Sequence, residues 1–129
     1  MTSEEVREVV AAYFAALRAG DIEAWVATFA EDGSSHDPVG SEVLAGRAAL
    51  GAFAKNMWGM WDSLSLQERE VFVCSNEAAV KWTGYGRTKK GREVRFEGID
   101  ILAINPEGKI QSMRGYWDAA AVMSQLAAS

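Results

Sequence analysis

The chain has 129 residues, of which 49% are hydrophobic and 24% charged, a composition that excludes a disordered chain and favours one domain over residues 1–129. The formal net charge of −5 and the dispersed basic residues argue against a nucleic-acid partner. A single cysteine, Cys74, and a single histidine, His36, exclude a disulfide framework and a zinc site built from these two residue types. No acidic pair has a recognisable metal-ligand spacing, so we expect no metal site.

The amino terminus, MTSEEVREVV, opens with acidic residues and lacks the charged-then-apolar order of a signal peptide. No apolar run in the sequence is long enough to span a bilayer. We therefore expect a cytoplasmic protein that makes no membrane contact.

Two helices are predicted at the amino-terminal end. Thr2 and Glu5 have the spacing of a capping box before a helix over residues 3 to 19, and Gly20 supplies its stop. Hydrophobic residues at intervals of three and four give this helix one buried stripe, made of Val6, Val9, Val10, Tyr13, Phe14 and Leu17. Asp21 suits the N-cap of a second, shorter helix, whose inward residues are Ile22, Trp25, Val26 and Phe29. A loop containing Gly33 and a short segment over residues 34 to 37 are expected next.

A third helix is predicted over residues 47 to 61, with Leu50, Phe53, Met57 and Trp61 inward. The period then changes to two, which predicts strands over residues 64–74, 77–88, 92–105 and 109–117, joined by turns of hairpin length. A short alanine-rich helix follows from residue 118. Helices followed by an antiparallel meander predict an α+β fold, in which a strongly curved sheet with helices on its concave face encloses an apolar pocket.

Asp100 is the most informative residue for chemistry. One face of its predicted strand carries Val94, Phe96, Gly98, Asp100, Leu102 and Ile104, and only Asp100 in this row is charged. No lysine or arginine shares the row, so desolvation would raise the pKa of Asp100 and leave it able to donate a hydrogen bond as a neutral acid. The alternative is a strand-edge aspartate with the register displaced by one residue. The row alone does not decide between them.

Tyr13 and Asp37 each have a structural and a functional interpretation. Tyr13 lies in the apolar stripe of the first helix and is most simply a core tyrosine whose hydroxyl finds a backbone partner. Asp37 precedes Pro38 and is most simply a turn residue, although a carboxylate at the rim of a pocket would suit a general base. His36 is adjacent, but neighbours on an extended segment point to opposite faces, which argues against a catalytic His-Asp pair.

Three segments together resemble bacterial ketosteroid isomerases. The first, AAYFAALRAGDIEAWVATFAEDGSSHDPVGSE, is similar in its helix tyrosine, its G-D-[IL] turn and its D-P-[VF]-G motif. NEAAVKWTG resembles the central strand of that family, and EGIDILAINPEGKIQSMRGYWD resembles its final hairpin, so the likeness covers almost the whole chain. The resemblance implies the cone-shaped fold of the nuclear transport factor 2-like superfamily and a homodimer formed through the sheet.

The resemblance also implies a site and a reaction. Tyr13 matches the oxyanion-hole tyrosine, Asp37 the general base, and Asp100 the protonated acid of the oxyanion hole. The implied enzyme is an isomerase that moves the double bond of a Δ5-3-ketosteroid into conjugation through a dienolate, with an apolar small molecule as substrate and no cofactor. Inward-facing positions give the candidates for the pocket wall, which are Phe53, Val80, Trp82, Met113 and Trp117.

The chain departs from the family at three positions. Phe29 and Ala54 stand where some members have tyrosines that hydrogen-bond the oxyanion tyrosine, so that network is at least reduced. His36 stands where the family often has glutamate, and a cationic His36 would lower the basicity of Asp37.

A polyketide or polyether cyclase or an epoxide hydrolase on the same fold is one alternative function, and a non-catalytic binder of an apolar small molecule is another. The Tyr13, Asp37 and Asp100 set favours the isomerase.

Overall fold

The computed structural model describes residues 1–127, and within them it contains four helices and six strands. In chain order these are α1 (Ser3–Ala19), α2 (Ile22–Ala27), β1 (Phe29–His36), β2 (Leu44–Ala45), α3 (Arg47–Trp58), β3 (Trp61–Cys74), β4 (Glu77–Thr88), β5 (Glu93–Ile104), β6 (Ile110–Trp117) and α4 (Ala119–Ala127). Among these residues, no helix combines the length and the apolar character needed to cross a membrane.

The predicted ends of α1 and the start of α2 are confirmed. The Glu5 backbone N–H donates to Thr2 Oγ1 and the Thr2 N–H donates to Glu5 Oε1, each at 3.1 Å, which completes the capping box. Gly20 has a φ of 65°, the left-handed conformation that ends a helix at little cost for glycine. The Asp21 carboxylate accepts from the Ala24 N–H at 3.0 Å and caps α2.

The strands form a curved six-stranded sheet with the order β2-β1-β6-β5-β4-β3. Strands β3 to β6 are an antiparallel meander, as predicted, but β1 runs parallel to β6, so the sheet is mixed and not purely antiparallel. The prediction of a loop at Gly33 and a short segment after it was wrong, because both belong to β1. The register of β1 against β6 shifts between Phe29 and Ser34, and this irregularity interrupts the alternation by which a strand is read from sequence.

The third helix is shorter than predicted. It ends at Trp58, Gly59 is its C-cap, and Trp61 is the first residue of β3 instead of the last inward residue of the helix. Leu50 and Ala54, one turn apart, are its fully buried residues, whereas Phe53 is 37% exposed. The expectation of an inward Phe53 was therefore wrong, since the side chain lies beside the buried stripe and not in it.

The core lies between the helices and the inner face of the sheet. Helix α1 buries its predicted stripe, and α2 and β1 add Trp25 and Phe29, which are 4% and 0% exposed. Burying a large apolar side chain stabilises the fold by about 1.5–3 kcal/mol. On β5 the predicted alternation is confirmed, because Val94, Asp100, Leu102 and Ile104 are all buried. The alternation therefore places one carboxyl, that of Asp100, inside this core.

Candidate active site

Tyr13, Asp37 and Asp100 come together in the space between α1 and the sheet. Tyr13 is 3% exposed and Asp100 is 2% exposed, while Asp37, which follows β1, is half-buried. Burial is the largest cause that raises the pKa of the Tyr13 hydroxyl, and the nearby carboxyls of Asp100 and Asp37 raise it further. The structure thus brings together residues that lie far apart in the sequence.

The Asp37 carboxyl lies directly over Gly115 of β6. A Cβ atom at Gly115 would overlap Asp37 Oδ1, so this approach requires a residue without a side chain. Trp117 Nε1 donates to Asp37 Oδ1 at 2.5 Å, and the Val39 N–H donates to the Gly115 carbonyl at 2.9 Å. These contacts hold the base of the loop after β1 against the sheet.

His36 is not paired with Asp37. Its Nε2 atom accepts a hydrogen bond from the Gly40 N–H at 2.9 Å, within the turn that follows Asp37. Within residues 1–127 the His36 side chain makes no hydrogen bond to Asp37, and the absence of a catalytic His-Asp pair stays a prediction.

Asp100 occupies the middle of β5, where its cross-strand partners are Val80 on one side and Gly115 on the other. Asp100 Oδ1 lies 3.3 Å from the position that a Gly115 Cβ would take, so both carboxyls share the space above this glycine. Trp82 Nε1 donates to Asp100 Oδ1 at 3.0 Å. The alternative of a strand-edge aspartate with a displaced register is excluded.

The surroundings raise the pKa values of the two carboxyls unequally. Burial raises the pKa of Asp100 well above its ordinary value, the negative charge of Asp37 raises it further, and the Trp82 hydrogen bond opposes both. Burial also raises the pKa of Asp37, but the Trp117 hydrogen bond and His36 lower it. Because two close carboxyls titrate as a pair, these surroundings favour the proton on Asp100 and the negative charge on Asp37.

Tyr13 is surrounded by aromatic rings and keeps its proton. Burial, the largest cause, and the charges of the two carboxyls raise the pKa of Tyr13 well above its ordinary value. The ring centroids of Phe14, Trp25 and Phe29 lie 5.1, 6.1 and 6.1 Å from that of Tyr13. Phe29 and Ala54 are both fully buried, and since neither side chain carries a hydroxyl, neither position supplies one to Tyr13. The Trp25 indole acts in the opposite direction and lowers the pKa of Tyr13, although its N–H makes no hydrogen bond of standard geometry within residues 1–127.

The predicted wall residues fall into two groups. Val80, Trp82 and Met113 are buried at 0%, 2% and 2% exposure and Trp117 is half-buried, whereas Phe53 lies at the surface. Sequence reasoning treated Trp82 and Trp117 only as apolar walls and missed that each donates to one of the carboxyls. The strand register holds the signal for Trp82, because Trp82 faces Gly98 and Asp100 is two residues further along β5.

The chemistry, and not a surface cleft, identifies this site. Surface clefts of about 750, 560 and 400 Å³ lie elsewhere, and Tyr13, Asp37 and Asp100 line none of these three. Over residues 1–127, no group of three or more His, Cys, Asp or Glu side chains is arranged to hold a metal ion. The arrangement offers one carboxylate and two neutral hydroxyl donors, the groups needed to take a proton and to stabilise a developing oxyanion.

Fold and site together describe a small α+β protein with an internal pair of unequal carboxyls. The sequence matches the SnoaL-like domain family over residues 10–113. The chain is 32% identical over 116 residues to the Steroid Delta-isomerase of Nocardioides simplex. This aligned region covers 89% of this chain and 91% of that protein. The chain therefore belongs to the SnoaL-like domain family, within the nuclear transport factor 2-like superfamily, and the resemblance to steroid isomerases is confirmed.

Solved structures share the same fold. One is SalBIII, an epoxide hydrolase/cyclase-like enzyme with a role in pyran ring formation in polyether salinomycin. It matches with a TM-score of 0.83 and 27% identity, over 92% of this chain and 94% of that one. RV0760c from Mycobacterium tuberculosis, in complex with estradiol-17beta-hemisuccinate, matches with a TM-score of 0.82 and 25% identity, over 91% and 96% of the two chains. TerC, co-crystallised with polyporic acid, has a TM-score of 0.85 over 96% and 99%, but at 17% identity it shows the fold alone.

Proposed function

We propose that this protein is a Δ5-3-ketosteroid isomerase, which moves a carbon–carbon double bond into conjugation with a ketone by intramolecular proton transfer. The observation that carries the proposal is the unequal carboxyl pair, in which burial raises the pKa of Asp100 well above that of an ordinary aspartate while Asp37 stays half-buried. The 32% identical relative named Steroid Delta-isomerase supports the same reaction.

Asp37 is the general base of the proposed reaction. Its carboxylate removes a proton from the carbon between the ketone and the remote double bond, and the electron pair of that C–H bond delocalises onto the ketone oxygen. The same carboxyl then returns the proton two carbons further on, which gives the conjugated enone. Burial raises the pKa of Asp37, and a base with a pKa nearer neutrality is both a better proton acceptor and an adequate proton donor. One residue completes both transfers, so the reaction needs no cofactor.

Tyr13 and neutral Asp100 stabilise the dienolate. Both are buried, and both have pKa values raised above their ordinary ones, so each presents an O–H group and not a negative charge to the developing oxyanion. Donors that are already oriented in a water-poor site act on charge as it develops, and removing one costs about 10²–10³ in kcat.

The substrate is proposed to be an apolar, steroid-like small molecule. Val80, Met113 and the two indoles of Trp82 and Trp117 supply apolar surface around the carboxyls. Phe53, which is 37% exposed, is proposed to line the entrance instead of the interior. The complex of RV0760c with an estradiol derivative supports a ligand of this class on this fold.

Ultraviolet absorbance tests the proposal directly. Purified protein is expected to convert 5-androstene-3,17-dione to its conjugated isomer, whose enone absorbs, and Asp37→Asn is expected to lose the rate. A wild-type rate equal to that of buffer would contradict the proposal. A bound phenolic steroid without any turnover would instead indicate a non-catalytic binder.

The acid-and-base pair also supports a second reaction, the opening of an epoxide with ring closure or hydrolysis. Asp37 would take the proton of a hydroxyl or water nucleophile as the oxygen of that nucleophile forms a bond to an epoxide carbon. Asp100 would give its proton to the epoxide oxygen as the carbon–oxygen bond breaks. SalBIII, at 27% identity, supports this candidate. An epoxy-alcohol substrate that is cyclised or hydrolysed, by a protein that leaves the steroid unchanged, would favour it over the isomerase.

The expected homodimer is also a proposal. On the outer face of the sheet, Ile99 and Tyr116 are cross-strand partners that are 44% and 43% exposed, and Phe72 is 63% exposed. Exposed apolar side chains grouped on one face are typical of protein contacts. Sedimentation equilibrium is expected to give twice the mass of the chain, and Tyr116→Lys is expected to shift it toward the single-chain mass.

A further inference from the structure

The carboxyl of Asp100 accepts a hydrogen bond from the indole N–H of Trp82, a group that can donate but cannot accept. Trp82 Nε1 donates to Asp100 Oδ1 at 3.0 Å, and both residues are 2% exposed. An indole N–H only donates, so Oδ1 must be the acceptor oxygen whenever this contact is made. In a protonated carboxyl the carbonyl oxygen is the stronger acceptor, so this contact favours the tautomer with the hydrogen on Oδ2.

The indole of Trp82 is confined on two sides. It packs over Gly98, its cross-strand partner, where a Cβ atom would lie only 2.6 Å from Trp82 Cζ2. Phe96 meets the indole edge-to-face, with the ring centroids 5.5 Å apart and an interplanar angle of 82°. The donor is therefore in place before any ligand arrives.

The orientation of this carboxyl matters because the proposed base is its neighbour. Asp37 and Asp100 share the space above Gly115, and in each case the oxygen nearest to that glycine is Oδ1. A proton on Asp100 Oδ1 would lie on the side of the carboxyl that faces Gly115, where Asp37 Oδ1 also lies, and its proximity would stabilise the Asp37 carboxylate and weaken the base.

We propose that Trp82 is a positioning residue that keeps Asp100 Oδ1 as an acceptor, so that the acidic proton stays on Oδ2 and serves the substrate oxygen instead of Asp37. The inference rests on the proposed function for its consequence in turnover, although the orientation itself does not require it. Trp117 makes the matching contact at Asp37 Oδ1, so the Oδ2 atoms of both carboxyls are left for chemistry.

The variant Trp82→Phe tests the proposal, with Trp58→Phe as the matched control. Phenylalanine keeps an aromatic ring against Phe96 and removes the indole donor together with part of the ring that packs over Gly98. Trp58 is half-buried, and its N–H has no hydrogen-bond partner among residues 1–127, so the control makes the same replacement without losing a contact of this kind. Thermal unfolding of both variants separates loss of packing from loss of the donor.

The first readout is the Asp100 carboxyl resonance followed by ¹³C NMR against pH. In Trp82→Phe the pKa of Asp100 is expected to rise by about one unit, because a hydrogen bond that favours the ionised form is gone. Asp37, whose charge raises the pKa of Asp100, and Tyr13, whose pKa Asp100 raises, are followed in parallel. An unchanged pKa of Asp100 in Trp82→Phe, or an equal rise in Trp58→Phe, would overturn the proposal.

The second readout is turnover, which separates this proposal from the function on which it rests. Trp82→Phe is expected to lower kcat about tenfold with KM nearly unchanged, and Trp58→Phe to change neither. If the wild-type protein has no isomerase activity but the pKa of Asp100 still rises in Trp82→Phe, the result would support the positioning role and contradict the reaction.

If Trp82→Phe fails to fold, the ¹⁵N–¹H resonance of the Trp82 indole in wild-type protein decides. It is expected to move as Asp100 ionises, and a resonance that stays constant would overturn the proposal.

Discussion

Asp37 and Asp100 carry the same carboxyl group and make nearly the same contacts, but their surroundings differ. Each accepts from one indole N–H, at 2.5 Å for Asp37 and 3.0 Å for Asp100, and each lies against Gly115. Asp37 ends an irregular strand, is half-buried and has His36 beside it, whereas Asp100 sits in the middle of β5 and is 2% exposed. The comparison teaches that surroundings separate the proposed base from the proposed acid. Burial raises both pKa values, but the neighbouring charge of Asp37 raises that of Asp100 further, whereas His36 lowers that of Asp37.

The largest effect is expected where the base is removed. Asp37→Asn should lower kcat about 10³- to 10⁴-fold, because an amide cannot accept the substrate proton. Binding of an equilenin-like phenolic ligand should persist, since Tyr13 and Asp100 remain. Steady-state kinetics and fluorescence titration check the two expectations, and normal turnover by this variant would remove Asp37 from the mechanism.

Substitutions of Asp100 sharpen the contrast between an acid and a carboxylate. Asp100→Leu should lower kcat about 10²- to 10³-fold, because it removes a buried donor. Asp100→Asn should lose less, since an amide N–H still donates. Equal losses in the two variants would mean that Asp100 acts in its ionised form or takes no part.

The shared glycine offers a way to disturb both carboxyls without replacing either. Gly115→Ala should lower kcat about 100-fold, because the added methyl overlaps Asp37 Oδ1 and moves the base. Gly51→Ala is the control, since its Cβ would make only an ordinary 3.7 Å contact with Val26. Comparable kinetics for the two variants would show that the position of Asp37 over Gly115 is unimportant.

The smallest expected effect is on stability against pH. A carboxyl whose pKa is raised on folding binds its proton more tightly in the folded state, so stability is greatest below the unfolded pKa of about 3.9. It then falls as pH rises toward the folded pKa. Burial raises the pKa of Asp100 more than that of Asp37, so Asp100→Asn should reduce this fall and change the free energy of unfolding by about 1–2 kcal/mol. Urea unfolding between pH 4 and 8 measures it, and an unchanged slope would contradict a raised pKa at Asp100.

Much of the fold could be predicted because its signals are local. The Thr2–Glu5 capping box and Gly20 set the ends of α1, and the alternation along β5 placed Asp100 on the buried face before any contact was known. The grouping of Tyr13, Asp37 and Asp100 followed from a resemblance and not from spacing, since their contact depends on how α1 packs on the sheet.

The remaining features depend on tertiary contacts that sequence periodicity does not contain. Strand β1 is stabilised by parallel pairing with β6, and its irregular register conceals it as a loop. Phe53 lies one position from the buried stripe of α3. The role of Trp82 comes from a diagonal contact between strands, which is visible only when the register of β4 against β5 is known.

The most direct test of the central claim, that Asp37 moves a single proton past two neutral donors, is isomerisation of 5-androstene-3,17-dione in D₂O. NMR of the product measures how much hydrogen and how much deuterium is bound to the carbon that receives the proton, two positions beyond the carbon that lost it. The account predicts a conjugated enone that largely carries the hydrogen of the substrate at this carbon, because one half-buried carboxyl holds it between the two transfers. No conjugated product, or product in which deuterium has fully replaced that hydrogen, would contradict the account.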